Sequence, residues 1–369
     1  MADKLDLVLC SLEAWDEVWR RNQLLVQEIL AVRPETRVLF IEPPVDLIHS
    51  ARRHQMPRNL GVREVRRNIW ALRPHKVLPR ALAGANVDLA LGKQVLQTAD
   101  RLGMKDFVLW INDTSYASLA VAIEQPVIYD ITDDWLEASG PQRLIRRRRF
   151  EHAAMMGRAQ RVCVVSEPLL RESQRTREAV RIPDAADMAH FQRPQDRPDD
   201  LPAGPYAVYV GTLHVDRIDV DLCLDIARRI SPASFVLVGP DCLEAGPRRR
   251  LLAGGCTLLG PRPYIRVPAY YQHASVVVVP HVVSPFTESL DPIKLYECLA
   301  VGRPTVTTPV SGMRDAGPPI EAVPRDVFAN RVLQLLQEHR TNSPQPIPSW
   351  RDRALEMLQV IEDARRLAS

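Results

Sequence analysis

The sequence predicts an α/β fold made of two doubly wound, Rossmann-like domains in tandem. Two observations predict it. Short apolar runs alternate with longer stretches of helical periodicity, the order that parallel sheets and their crossover helices impose. A proline-rich break near the middle divides the chain into halves, each the size of one such domain. The chain has 369 residues, 46% of them hydrophobic and 25% charged, so there is enough apolar material for two cores.

In the first half, Leu5–Cys10, Arg37–Ile41, Ile69–Leu72, Phe107–Ile111, Val127–Ile131 and Arg161–Val165 are expected as strands. Helical stretches among them include Val18–Val32, Asp88–Gly103 and Pro141–Gly157. The alternation restarts at Tyr206–Val210 and runs through Phe235–Val238, Cys256–Leu259, Val276–Val279 and Thr305–Thr307. Helices are expected near Val220–Ile230 and Ile293–Val301. The prolines of Arg193–Pro205 cannot continue a helix or a central strand, so they mark a linker. The expected division is a first domain over 1–190, a linker over 191–205, a second domain over 206–345 and a last amphipathic helix within 346–369. Ligands of open parallel sheets bind beyond the carboxyl ends of the strands, so two facing domains make a cleft suited to joining two substrates.

Lys plus Arg is 48 against 45 for Asp plus Glu, a net charge of +3 and too even for a dedicated nucleic-acid binder. No apolar run approaches the roughly 20 residues that span a bilayer. Acids in Met1–Leu7 stand where a signal peptide would be basic. The six cysteines are scattered without a CxxC pair, which reads as free thiols of a reducing cytoplasm and excludes a zinc ribbon.

The most informative stretch is Pro280–Thr308. A buried strand runs into a polar loop, and a helix opens near Asp291-Pro292, with proline in the first turn and an acid before it. Such a helix start presents free N–H groups and a partial positive charge, a ready site for a diphosphate. Lys294 adds a full charge there, and Glu297 lies one turn on, where a carboxylate can accept from two vicinal hydroxyls. Taken alone, Pro-x-Lys-x-x-Glu also fits a plain strand–helix–strand unit with a solvated ion pair.

The run Pro292–Val306 resembles the donor-binding segment of family 4 and related glycosyltransferases of the two-domain GT-B fold, whose pattern is Pro-x-Lys-x-Tyr-Glu-Tyr-Leu-Ala-x-Gly-x-Pro-Val-Val. Other segments resemble the family in the same order: Val162–Leu170, Arg181–Phe191 with Asp184-Ala-Ala for Asn-Gly-Val, Tyr209–His214, and the closing helix after Ser349. The resemblance implies that this helix crosses back to the first domain. It also implies a nucleotide diphosphate sugar as donor, contacts from Gly211, Leu290 and Ile293, and catalysis by Arg217 and Lys294 without a metal or other cofactor. Arg217 would hold the diphosphate as a bidentate guanidinium. Gly260–Tyr264 resembles the loop that meets the nucleobase, with Arg262 and Tyr264 as contacts; a rigid turn explains it equally. Where the family has a sugar-binding Glu this chain has Ser289, with Glu288 beside it.

In the first domain, Tyr129–Trp135 ends a strand with three acids and resembles a bacterial subgroup of teichuronic-acid and exopolysaccharide transferases. Asp133 or Asp134 could orient or deprotonate an acceptor hydroxyl, or merely cap local turns. Asp113 is a weaker candidate by the same topology. Glu13, Trp15 and Arg21 are acceptor contacts on the same resemblance, or simply the start of an amphipathic helix. Arginines crowd residues 52–80 and Arg146–Arg149. These runs are either solvated faces or docking sites for an anionic membrane surface. The expected function is transfer of a sugar to a glycan, lipid-linked or small natural-product acceptor, with retention implied, in the cytoplasm or at the inner face of the plasma membrane. A catalytically inactive scaffold of the same fold and a nucleotide-sugar epimerase are the alternatives.

Overall fold

A computed structural model describes residues 4–52, 59–77, 80–338 and 342–368. The first half forms an eight-stranded sheet in the order Val180–Arg181, Arg161–Val164, Val127–Ile131, Phe107–Ile111, Asp6–Cys10, Arg37–Ile41, Ile69–Arg73 and Gly61–Arg66. All pairs are parallel except the last, where Gly61–Arg66 runs antiparallel to Ile69–Arg73. That edge strand lies in the arginine-rich stretch, where no strand is expected from apolar periodicity. The second half forms a six-stranded parallel sheet: Cys256–Gly260, Ser234–Val238, Tyr206–Val210, Val276–Val279, Thr305–Thr307 and Ile320–Ala322.

Strand side chains alternate between the two faces of a sheet, and the first sheet buries both. Val8, Cys10, Leu39 and Ile41 join one apolar cluster with Leu91 and Met155, while Leu7, Leu9, Val38 and Phe40 join another with Leu25 and Ile29. The second cluster also holds Trp350, Ala354, Met357, Val360 and Ile361 of the helix Trp350–Ala368. The last helix therefore follows the second domain in sequence and packs on the first in space, beside the helix Arg21–Val32.

Several boundaries differ from the sequence expectation. The first long helix begins at Arg21, not Val18: Trp19 leaves the helical path to stack on Tyr264, and Trp15 packs edge-on against Phe40. The helix expected from Asp88 begins at Arg80 and breaks at Gly84 before ending at Arg101. Residues 191–205 are not a free linker. Phe191 and Leu201 are buried in the core of the second domain, Ala186 already belongs to it, and Gln195 bonds to Ile265 and Gln272. Proline excludes regular structure there without excluding packing.

Trp350 is 3% exposed. W350A is expected to cost about 3–5 kcal/mol of stability, the usual price of emptying a buried tryptophan site, and to act on the first domain although the residue follows the second. Urea unfolding of the variant against the parent measures it.

Candidate functional site

Each sheet reverses its winding order once, and at such a point the crevice beyond the strand ends is open to ligands. In the first sheet the reversal lies between Asp6–Cys10 and Phe107–Ile111, and in the second between Tyr206–Val210 and Val276–Val279. The two crevices face each other across one cavity lined by Glu13, Asn112, Thr132 and Asp133 from the first domain, and by Gly211, Arg217, His281, Lys294 and Glu297 from the second.

The second-domain wall is cationic. Lys294 lies in the first turn of the helix Ile293–Val301, and its side chain rests on Gly211: a Cβ there would stand 2.3 Å from Lys294 Cε and 2.5 Å from Nζ. The ammonium also faces the ring of Tyr209 at 5.4 Å. Burial and the neighbouring Arg217 pull the Lys294 pKa down, while Glu297 opposes the shift. Glu297 follows one turn later, with one carboxylate oxygen accepting from the Tyr271 hydroxyl at 2.7 Å. The helix ends at Gly302, whose left-handed φ of 71° closes the last turn. The helix start is not capped as the sequence suggests: Pro292 is the N-cap, and Asp291 instead accepts from Tyr296 and from the Asp184 N–H.

Asp133 dominates the first-domain wall. Arg217 Nη2 donates to Asp133 Oδ1 at 2.6 Å, joining the two domains across the cavity. Asp133 keeps the guanidinium charged, and burial raises the Asp133 carboxyl while Arg217 lowers it. Glu13 is likewise raised by burial. Beneath them, Arg21 is 4% exposed and donates to the carbonyls of Ile182 and Pro183 and to Asp184 Oδ1 at 2.9 Å. It also pairs with the fully buried Asp130 at 3.7 Å. Arg21 is thus a structural tie to the interdomain segment, and it also lines the cavity. Trp15 is packed against Phe40, and Asp113 caps the short turn Thr114–Tyr116.

Other sequence candidates fall elsewhere. Asp134, Glu288 and Ser289 line a neighbouring cavity with Tyr129, Trp135 and His152, and only Asp133 belongs to both. Glu288 pairs with Arg314 at 2.6 Å, and the Ser289 hydroxyl donates to the Phe286 carbonyl. Leu290 and Ile293 do line the first cavity. So do Arg262 and Tyr264, but both are engaged: Arg262 pairs with Asp200, and the Tyr264 ring stacks on Trp19 at 5.9 Å and on His190 at 4.3 Å. Tyr264 therefore serves as a contact between domains, which its sequence setting did not suggest. The arginine run of residues 52–80 is not one basic face. Arg63 and Arg73 neutralise the buried Glu42, and Lys76 pairs with Asp46. Arg53 and Arg58 lie outside the described residues, as do the side chains of Arg52 and Arg80.

Among the residues missed in the sequence, His281 is the most informative, being buried on the cavity wall next to both cations. Its position just past a strand end at a winding reversal was the available signal.

Asp184 and Asp291 sit together where the domains meet, and burial plus the second carboxyl push Asp184 up to about 8 against the pull of Arg21. A carboxyl raised in the fold stabilises it while protonated, and that contribution is lost as pH rises from the unfolded value near 4 toward about 8. D184N, which cannot ionise, is expected to flatten this decline, while its loss of a charged partner for Arg21 lowers stability throughout. Urea unfolding at acidic and at mildly alkaline pH reads the slope directly.

Comparison with known proteins agrees with this architecture. Residues 204–338 match the family model described as glycosyl transferases group 1. A 198-residue stretch is 25% identical to Bacillus subtilis (strain 168) TuaH, whose name assigns it to teichuronic acid biosynthesis as a glycosyltransferase; the match covers 49% of this chain and 50% of TuaH. Anabaena Alr3699/HepE, solved with UDP and glucose, superposes with a TM-score of 0.60 at 14% identity, covering 99% of this chain and 97% of that one. The UDP-forming α,α-trehalose-phosphate synthase of Burkholderia xenovorans superposes with a TM-score of 0.58 at 11% identity, covering 98% and 97%. The chain accordingly has the GT-B fold, and residues 204–338 of it match the group 1 glycosyl transferase model.

Proposed function

We propose that the chain transfers a sugar from a nucleoside diphosphate to an acceptor hydroxyl, in the cleft between its domains. One observation carries the reading: Lys294, Arg217 and Glu297 line one wall of a cavity whose opposite wall is Asp133. The cations fit a diphosphate, and the carboxylate one helical turn along fits the paired hydroxyls of a ribose. The HepE structures, which hold UDP and UDP-glucose, support a nucleoside diphosphate donor of this kind.

In this reading the bond between the anomeric carbon and the phosphate oxygen breaks, and a bond to the acceptor oxygen forms on the same face. The acceptor proton passes to the departing phosphate, so configuration is retained. Negative charge develops on the diphosphate, and Arg217, Lys294 and the N–H groups at the helix start are already placed to meet it. These cations supply the neutralisation that a metal gives elsewhere, so the reaction is proposed to need none. A diphosphate also competes for Arg217 and frees Asp133, which then orients the acceptor hydroxyl. The neighbouring cavity, about 400 Å³ and sharing Asp133, takes the sugar and acceptor side.

A lipid-linked or other surface-bound acceptor is favoured by the helix Gln142–Arg158. Arg148 and His152 on this helix line the neighbouring cavity. Its outer face exposes Arg143, Arg146 and Arg149, with Phe150 77% exposed among them. Basic side chains around a protruding aromatic ring suit an anionic lipid surface. Among the described residues, no helix is long and apolar enough to cross a membrane.

Two tests follow from these assignments. E297A is expected to weaken nucleoside diphosphate binding about 10- to 100-fold, the value of hydrogen bonds to a charged group. K294A is expected chiefly to lower kcat, by about 100- to 1,000-fold, as for loss of one transition-state charge donor. Turnover in EDTA should equal that without it. Calorimetry and steady-state kinetics with a panel of nucleotide sugars decide this, and two variants behaving like the parent would reject the site. For the membrane face, R146Q and R149Q should each reduce sedimentation with phosphatidylglycerol vesicles roughly fivefold, from about 1 kcal/mol per basic residue. Binding to phosphatidylcholine vesicles should be weak throughout.

A further inference from the structure

We propose that His281 is a third contact for the donor diphosphate, its ring N–H completing with Arg217 and Lys294 a three-point clamp on the phosphate farther from the nucleoside. The inference rests on the donor reading above and adds to it a residue that neither the sequence motif nor the family match singles out.

His281 follows the strand Val276–Val279 at the winding reversal of the second sheet, lines the same cavity as the two cations, and is 2% exposed. Among the described residues, neither of its ring nitrogens has a hydrogen-bond partner. A buried polar group without a partner is costly, and a leucine or phenylalanine would fill this space without that cost. A polar ring retained here is accounted for by a ligand that satisfies it.

The ring's surroundings define the ligand. Tyr209 flanks it, with ring centroids 6.1 Å apart at 70°. The charged groups that act on it, Lys294 and Arg217, are both cations, and together with burial they hold the imidazole neutral, well below its ordinary range. A neutral imidazole offers one N–H, and the shared need of this N–H, the ammonium and the guanidinium is an anionic oxygen acceptor. Three donors around one phosphate also oppose the charge that builds there as the sugar leaves.

The backbone holds these donors in register. Ile218 and His281 form an antiparallel bridge. The Val282 N–H donates to the Arg217 carbonyl at 2.8 Å, and the Asp219 N–H donates to the Pro280 carbonyl at 2.9 Å. The Thr308 hydroxyl donates to the His281 carbonyl at 2.8 Å. The guanidinium and the imidazole therefore rise from two segments stitched to each other, which keeps their separation fixed as the Arg217 side chain exchanges Asp133 for a phosphate.

The test uses UDP, GDP, ADP and dTDP with the full-length protein, by calorimetry. The nucleotide that binds most tightly is carried forward together with its monophosphate. H281F keeps a ring of similar shape without nitrogens, and H281A removes the ring; thermal unfolding reports whether each is folded. Both are expected to weaken the diphosphate by about tenfold or more while changing the monophosphate less than about threefold, as loss of one hydrogen bond to a charged group predicts. If one variant does not fold, the other must still show this selective loss. Unchanged diphosphate binding overturns the clamp, and so does equal weakening of both nucleotides, which would mark the ring as a spacer. A parent protein that binds none of the four diphosphates overturns the donor reading itself, and His281's role with it.

Discussion

The chemistry of the cleft turns on one contact between opposite charges. Arg217 of the second domain and Asp133 of the first meet at 2.6 Å on opposite walls, each largely shielded from water. Each charge offsets part of the desolvation of the other, and removing either partner leaves the other uncompensated. The pair also sets what a ligand must do. Only a group that can replace a carboxylate at the guanidinium enters the second-domain wall at little net cost, and a diphosphate is such a group. The carboxylate then left without its partner acquires the task of binding something that carries a proton, which is what an acceptor hydroxyl offers.

A second buried network, below the first, fixes how the domains hinge. Arg21 binds two carbonyls of the interdomain segment and the Asp184 side chain, and the Asp184 N–H donates to Asp291 at the base of the donor helix. The crossover between domains and the start of the helix carrying Lys294 are therefore one connected unit. With the last helix packed on the first domain and Tyr264 stacked on Trp19, the lobes are joined at several places, and the cleft between them is not a simple gap between two independent bodies.

Most of the architecture was legible because it rests on periodicity. The central strands, the donor helix Ile293–Val301 and the returning helix Trp350–Ala368 carry apolar patterns or sharp terminal signals that tertiary packing does not override. The edge strand Gly61–Arg66 was not legible: its exposed positions carry arginine and glutamate, and pairing with Ile69–Arg73 makes it a strand. In the site, Lys294, Glu297, Arg217 and Asp133 could be read from residue type and position. Glu288 and Tyr264 could not be placed, because what decides them is a partner distant in sequence: Arg314 for one, Trp19 and His190 for the other. The arginine run shows the same limit. Two of its arginines, Arg63 and Arg73, share Glu42, which sequence proximity does not connect to either.

The division of labour between the halves follows from what each wall is made of. In the second domain the floor of the cavity is bare backbone. Gly211 gives its space to the Lys294 side chain, and at Gly239 a Cβ would stand 2.1 Å from the Gly211 carbonyl oxygen, so no larger residue fits without moving the strand ends. A floor so constrained can hold one kind of ligand closely and has little room to vary. The first-domain wall is built instead from side chains that follow the strand ends, Glu13, Asn112, Thr132 and Asp133. In the proposed reading, the constrained floor holds the donor, and the choice of acceptor falls to the side chains that follow the strand ends of the first sheet, on the side of the cleft that Asp133 faces.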